Sequence, residues 1–378
     1  MNFKIRFNNC VWLIFLSVFT SIFFFIRYVL LEYVPSMHAK LFSDSVKILS
    51  YERSKIFLFQ DGSFERTAKF FSYINIFDIT TLFAWTVYTG VIFFIINFCI
   101  LKKIKTITIN KFMFLSLGLS MWYLFSLGLT KEIFQNFFYL LIYFFCIKNI
   151  NYNSSIFTKI VIGCCILLLS ALLLREYYIL TSFFSLVIYL LFCLIVKRVK
   201  NKKERFLALI STIVGTVLIF MFVISVCFPL EYSIVIDLRR VAYSYMDGYT
   251  DSIISDFIDN STGSVVIYTI NYFINFIRLL IPVELIIGKW YYIPYIVYQL
   301  YFTKIYLSKL ADIDILCKRK FLTLIFITSY IMVAAMMEPD FGSWVRHQSI
   351  LWCLILELYV ENDFEIITHS GEERKLLI

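Results

Sequence analysis

Ten apolar runs of roughly 20 residues punctuate this chain, at about 10–33, 77–100, 112–129, 132–147, 160–174, 177–196, 207–229, 290–308, 321–337 and 347–361. No soluble domain carries so many solid apolar runs, and most are long enough to cross a bilayer as a helix. The runs do not alternate, which excludes a β-barrel. Hydrophobic residues make up 61% of the 378 residues and charged residues only 16%. A soluble enzyme, a disordered chain and a secreted disulfide scaffold are therefore excluded. The expected fold class is an all-α polytopic membrane protein in a single transmembrane domain over 1–378. It has about ten transmembrane helices and long outer loops at about 34–76 and 230–288.

Lys and Arg set the orientation. Lys102, Lys103, Lys105 and Lys111, then Lys148 and Lys159, then the run Lys197–Arg205, then Lys309, Lys318, Arg319 and Lys320 occupy alternate connections. With Lys4, Arg6, Arg374 and Lys375 they fall on one side, which the positive-inside rule makes the cytoplasm. Both termini are expected inside an inner membrane, and the first run is expected to stay as an uncleaved span because no small-residue cleavage site follows Arg27. The net charge of +9 is then topogenic, and no nucleic-acid partner is needed to explain it. The segment 264–288 is apolar enough to cross, but a crossing would put the basic loop 309–320 outside. Its polar residues Ser264, Tyr268, Asn271, Asn275 and Arg278 recur at i, i+4, i+7, i+11 and i+14, one stripe of a helix. A re-entrant or interfacial helix on the outer face is expected, its stripe turned toward a cavity.

Gly (11) and Pro (5) are scarce against about 26 and 19 at average usage. Transporters with broken helices usually show such interruptions. The nine cysteines sit mostly within apolar runs and form neither a disulfide framework nor a C-x-x-C metal pair.

Chemistry concentrates on the outer rim. Each short outer turn pairs a cation with an acid: Lys131-Glu132, Arg175-Glu176 ahead of Tyr178, and Glu338-Pro-Asp340-Phe-Gly-Ser-Trp-Val-Arg346-His347. Asp237, Arg239, Arg240 and Arg278 add to these from the second long loop and the polar stripe. Ionisable groups at a membrane boundary are costly and tend to be functional. Structural roles compete. Thr130 is a plausible N-cap with Glu132 at the helix N-terminus, Arg175 and Glu176 can form a local ion pair, Arg239 and Arg240 can be solvated, and Arg27 can snorkel. Convergent guanidiniums suit diphosphate, since they bind phosphate oxygens bidentately and keep their charge. His347, Glu338 or Asp340 can take a proton from a sugar hydroxyl. Lys131, Arg175, Tyr178, Arg239, Arg240, Arg278 and Arg346 are the expected substrate-binding set, lining one cleft.

On these turns and the basic inner loops, the chain resembles bacterial O-antigen or capsule repeat-unit polymerases (Wzy-type). The motifs are short, and no extended arginine-glycine motif is present in either of the loops 230–264 and 338–347. The resemblance implies a glycosyltransferase of the periplasmic face that moves a growing glycan from undecaprenyl diphosphate onto a new lipid-linked repeat unit. It also implies arginines on diphosphate, no metal or other cofactor, and a chain-length regulator as partner. The rivals are a flippase or exporter, a polyprenyl-phosphate-sugar-dependent glycosyltransferase, an O-antigen ligase and a membrane acyltransferase.

Overall fold

The computed structural model describes residues 4–34, 42–57, 62–150, 155–246, 252–260, 263–288 and 290–359. Of the described residues, 81% are helical. In order the helices are α1 (Asn9–Tyr33), α2 (Ser43–Ser54), α3 (Ser63–Ile74), α4 (Leu82–Leu101), α5 (Ile109–Ser126) and α6 (Lys131–Ile142), which runs on as a π-helical turn, Tyr143–Lys148. Then come α7 (Ile156–Leu173), α8 (Tyr178–Arg198), α9 (Lys202–Cys227), α10 (Pro229–Met246), α11 (Val265–Leu280) and α12 (Glu284–Gly288). The chain closes with α13 (Ile293–Ala311), α14 (Lys318–Met337), α15 (Phe341–Ser349) and α16 (Trp352–Tyr359).

Every apolar run is helical over most of its described length. Among the described residues six helices, α1, α4, α7, α8, α9 and α14, are long and apolar enough to cross a membrane. The chain is an all-α membrane protein with one exception to the expected class. Lys4–Arg6 pairs antiparallel with Thr106–Thr108, where β-branched Thr106, Ile107 and Thr108 favour an extended backbone. Both long outer loops also hold helices, α2 and α3 in the first and α10 in the second. The last expected run is split between α15 and α16.

Helix α14 is the axis. Most of its apolar stretch is buried, whereas α1, α7 and α9 bury less than a third of theirs. Outward residues such as Ile14, Phe25, Leu172 and Ile219 are apolar and exposed, as a hydrocarbon surround requires. Packing at the centre is close. A Cβ on Gly118 of α5 would lie 2.2 Å from the ring of Trp352, which is fully buried and donates its indole N–H to Asn97 Oδ1 at 3.1 Å.

The connections sort onto two ends. At one, Lys4–Arg6 meets Thr106–Thr108, Lys202 Nζ lies 2.8 Å from Asp312 Oδ1, and Arg319 donates to the Lys148 carbonyl at 3.1 Å. At the other, the turns before α6, before α8 and after α14 come together with α2. Arg27 does not snorkel. It is buried, donates to the Leu124 carbonyl at 3.3 Å and to that of Leu127, and stacks on Phe42. The last carbonyls of α5 lack helical partners and are too buried for water to serve them. Gly128 closes the same turn with φ +89°, a conformation that favours glycine.

The polar stripe of α11 faces protein instead of a cavity. Asn271 clamps Ile258, accepting from its N–H at 2.9 Å and donating to its carbonyl at 2.7 Å. Arg278 forms a two-point ion pair with Glu284, at 2.6 and 2.7 Å, and donates to the Ser255 carbonyl. The stripe thereby holds the strap 252–260. The strap in turn pairs with the loop after α14 through Ile254 N–H to the Pro339 carbonyl and Phe341 N–H to the Ser252 carbonyl, each at 2.9 Å.

Candidate functional site

Three turns and one loop helix build a buried charged cluster. Thr130 caps α6, accepting from Ile133 N–H, and this starts the helix so that Lys131 and Glu132 occupy its first turn. Asp340 caps α15, taking Ser343 N–H at 2.9 Å on Oδ1 and the Ser343 hydroxyl at 2.7 Å on Oδ2. With both oxygens so engaged, Asp340 positions α15, and Arg346 and His347 emerge from its last turn toward α6 and α8.

His347 is the hub. Its Nε2 lies 2.7 Å from Arg175 Nη1 and its Nδ1 lies 2.7 Å from Glu338 Oε1. Arginine only donates, so Nε2 accepts, and the imidazole is neutral with its proton on Nδ1, donated to Glu338. Tyr330 Oη donates to the His347 carbonyl at 3.1 Å, and Arg175 also donates to Tyr177 Oη at 3.0 Å. Glu132, 1% exposed, faces the same ring at 3.8 Å and Arg346 Nε at 3.1 Å. That approach is off the hydrogen-bonding angle, since neither atom makes an aligned bond, and the contact is Coulombic. Asp44 of α2 reaches Lys131 Nζ at 3.3 Å and Arg346 Nη1 at 3.7 Å. Lys131 stacks on the ring of Phe64 at 3.8 Å.

Burial pushes the Glu338 carboxyl up to about 7, against the pull of Arg175 and Arg346 and helped by Glu132. The ordinary value is about 4.3. Between these values the folded state holds a proton that the unfolded state has lost. Stability on this account is fully present below about pH 4 and falls as pH rises through about 7. Glu338→Gln is therefore expected to flatten the decline in thermal stability of the detergent-solubilised protein between about pH 5 and 7. An unchanged slope in that variant contradicts the assignment. Burial also lowers Lys131, partly offset by Asp44. Arg175 is held above its usual value, Tyr177 and Glu132 outweighing its burial.

Of the expected set, Lys131, Arg175, Arg346, His347 and Glu338 converge. Tyr178 lies beside them, fully buried, its ring 4.8 Å from Tyr177. Arg278 does not join them, being closed in its pair with Glu284. Arg240 pairs with Asp237 at 3.3 Å on an exposed face of α10 and donates to the Asn260 carbonyl. Arg239 falls on α10 with its side chain outside the described residues. A single cleft holding every outer-rim cation is thus not formed. In the sequence Asp44 stands alone in the first outer loop, because its partners lie in distant turns. Glu132 was legible as a helix-terminus acid beside Lys131, without its distant partners Arg346 and His347. Among the described residues no group of three His, Cys, Asp or Glu is arranged to hold a metal ion.

No protein family, curated protein or solved structure matches this chain.

Proposed function

We propose that the protein polymerises lipid-linked glycan repeat units at the outer face of a bacterial cytoplasmic membrane. Its helices make ten crossings with both ends inside, and the segment 264–288 does not cross. The observation that carries the reading is that Arg175 and Arg346 both reach one buried imidazole–carboxylate group, His347 with Glu338 and Glu132. In glycosyl transfer, an acceptor hydroxyl oxygen bonds to the donor's anomeric carbon. The bond from that carbon to the diphosphate oxygen breaks, and the electron pair leaves with undecaprenyl diphosphate. Arginines on the diphosphate neutralise the departing charge without titrating. When phosphate draws Arg175 away, His347 Nε2 is freed to accept the hydroxyl proton, and Glu338 steadies the imidazolium through Nδ1.

The non-crossing of 264–288 is supported by contacts. Asn271 and Arg278, two turns apart, both hold the strap 252–260. Expression in cells that make the cognate repeat unit but lack a polymerase should restore a glycan ladder. Reporter fusions at Lys200 and Ser343 should report opposite sides of the membrane, and agreement between them would overturn the topology.

Asp44 favours a second reading. A polyprenyl-phosphate-sugar-dependent glycosyltransferase uses acids of its first outer loop, and Asp44 joins Lys131 and Arg346 from that loop. Asp61, a second aspartate of that loop, lies outside the described residues. Addition of one sugar to a lipid-linked acceptor, with no ladder, would decide for this reading.

A further inference from the structure

Immediately inward of the charged rim, α6 carries a second polar face. Glu132, Gln135, Asn136 and Tyr139 fall within an arc of about 100° on this helix, and all four are buried. Both side-chain heteroatoms of Gln135 and of Asn136 lack hydrogen-bond partners, as do those of Gln348, the neighbour of His347. All three amides are 0–1% exposed. The hydroxyl of Tyr139 is likewise buried and unpartnered, and its ring packs near that of Tyr178. Their rings lie 6.2 Å apart, and Tyr139 sets its edge on Tyr330 at 5.8 Å, beneath the His347 carbonyl that Tyr330 holds.

Each orphaned amide in an apolar interior costs stability, and two at successive positions of one helix are not explained by packing. Leu or Met would fill the same volume without that cost. Residues that break the rule of polar satisfaction are expected where a ligand completes them. The chemistry of the face narrows the ligand. Amides donate and accept at once and fit vicinal hydroxyls, aromatic rings cover the apolar faces of a sugar, and no formal charge lies inward of Glu132 on this face of α6. One helical turn, about 5 Å, separates Glu132 from Gln135 and Asn136. A diphosphate on Arg346 would set the attached sugar at this depth.

We propose that Gln135, Asn136 and Gln348, with the hydroxyl of Tyr139 and the ring of Tyr178, form a subsite for an uncharged sugar ring, distinct from the cationic rim that takes diphosphate. The subsite rests on the polymerase reading for the identity of the glycan, though not for its hydroxyl chemistry.

The test uses purified full-length protein in a zwitterionic detergent without a sugar headgroup. Two probes are added separately, inorganic diphosphate and the soluble oligosaccharide released by mild acid from the source cell's own glycan. Unfolding temperature is the readout. Both probes should raise it in the wild type. Gln135→Met and Asn136→Leu should each unfold at a higher temperature than wild type when no probe is present, keep the diphosphate shift and lose the oligosaccharide shift. Gln348→Met on the separate helix α15 should do the same, and keeps the test sharp if an α6 variant fails to fold. Arg346→Gln should show the reverse selectivity. An oligosaccharide shift absent from wild type, or retained in the amide variants, overturns the subsite. So does a lower unfolding temperature in all three variants, which would assign the amides to internal water and structure. If the oligosaccharide shift depends on these amides while the wild type builds no ladder in cells, the polymerase reading fails and the subsite stands.

Discussion

Arg346→Ala and His347→Ala should each leave the protein inserted in the membrane and collapse the glycan ladder to a single repeat unit on its acceptor. The two residues are adjacent in the last turn of α15 and serve different needs. Arg346 is about one-third exposed at its side chain and still carries charge out to the rim, where a diphosphate arrives. His347 is buried with its Nδ1 proton on Glu338 and its Nε2 lone pair on Arg175. Loss of a positioned base costs typically 10²–10⁴-fold in rate, enough to abolish a ladder whose rungs accumulate multiplicatively. Glu338→Gln should fall between His347→Ala and wild type, since a neutral amide still accepts from Nδ1 but stabilises the imidazolium less. The measurement is the banding of extracted glycan, with membrane abundance of each variant as control. A normal ladder from both alanine variants removes this segment from the chemistry. Loss of even the single unit points to the flippase reading.

Glu132→Ala should be the most damaging single change to stability at the outer rim, on the order of 3–5 kcal/mol, the range for breaking a buried ion pair. Glu132 is fully enclosed and faces Arg346 and His347 directly, with Arg175 also within its electrostatic reach. The asymmetry between partners decides the magnitude. A carboxylate that loses a cation can take up a proton, whereas a guanidinium that loses its acid keeps its charge. Arg346→Ala therefore costs less than Glu132→Ala. Glu132→Gln, which keeps the shape, should lie between them. Thermal unfolding in detergent checks the order. The double variant Glu132→Ala with Arg346→Ala should recover part of the loss, because one unpaired charge goes with its partner. An unfolding temperature for Glu132→Ala equal to that of wild type would show that the cations are satisfied elsewhere.

Both expectations turn on contacts that the sequence supplies unevenly. The cations at Lys131, Arg175 and Arg346 stand out in sequence because topology asks for none outside, and three of them do converge. Arg278 stands out for the same reason, yet its acid is Glu284, six residues on, past the break at Pro282. A stripe of polar residues on α11 has two physical solutions, a cavity or a strap of polar backbone. The strap 252–260 has no periodicity that would announce it. Asp44 is an unremarkable acid in a loop until α2 carries it to Lys131 and Arg346.

By itself the sequence determined that the apolar runs are helical, that they are apolar enough for a membrane, and how the connections divide between two ends. Each of these depends on a local free energy, the transfer of one residue or one loop, which adds along the chain without reference to what comes later. Which helices neighbour one another was decided only by the tertiary structure. Side-by-side packing rests on shape, as where Gly118 admits the ring of Trp352, and a lipid surround gives apolar faces no preference among themselves. That choice of neighbours places the turn before α8 against the last turn of α15, and so turns Arg175 and His347, far apart in the chain, into one hydrogen-bonded pair.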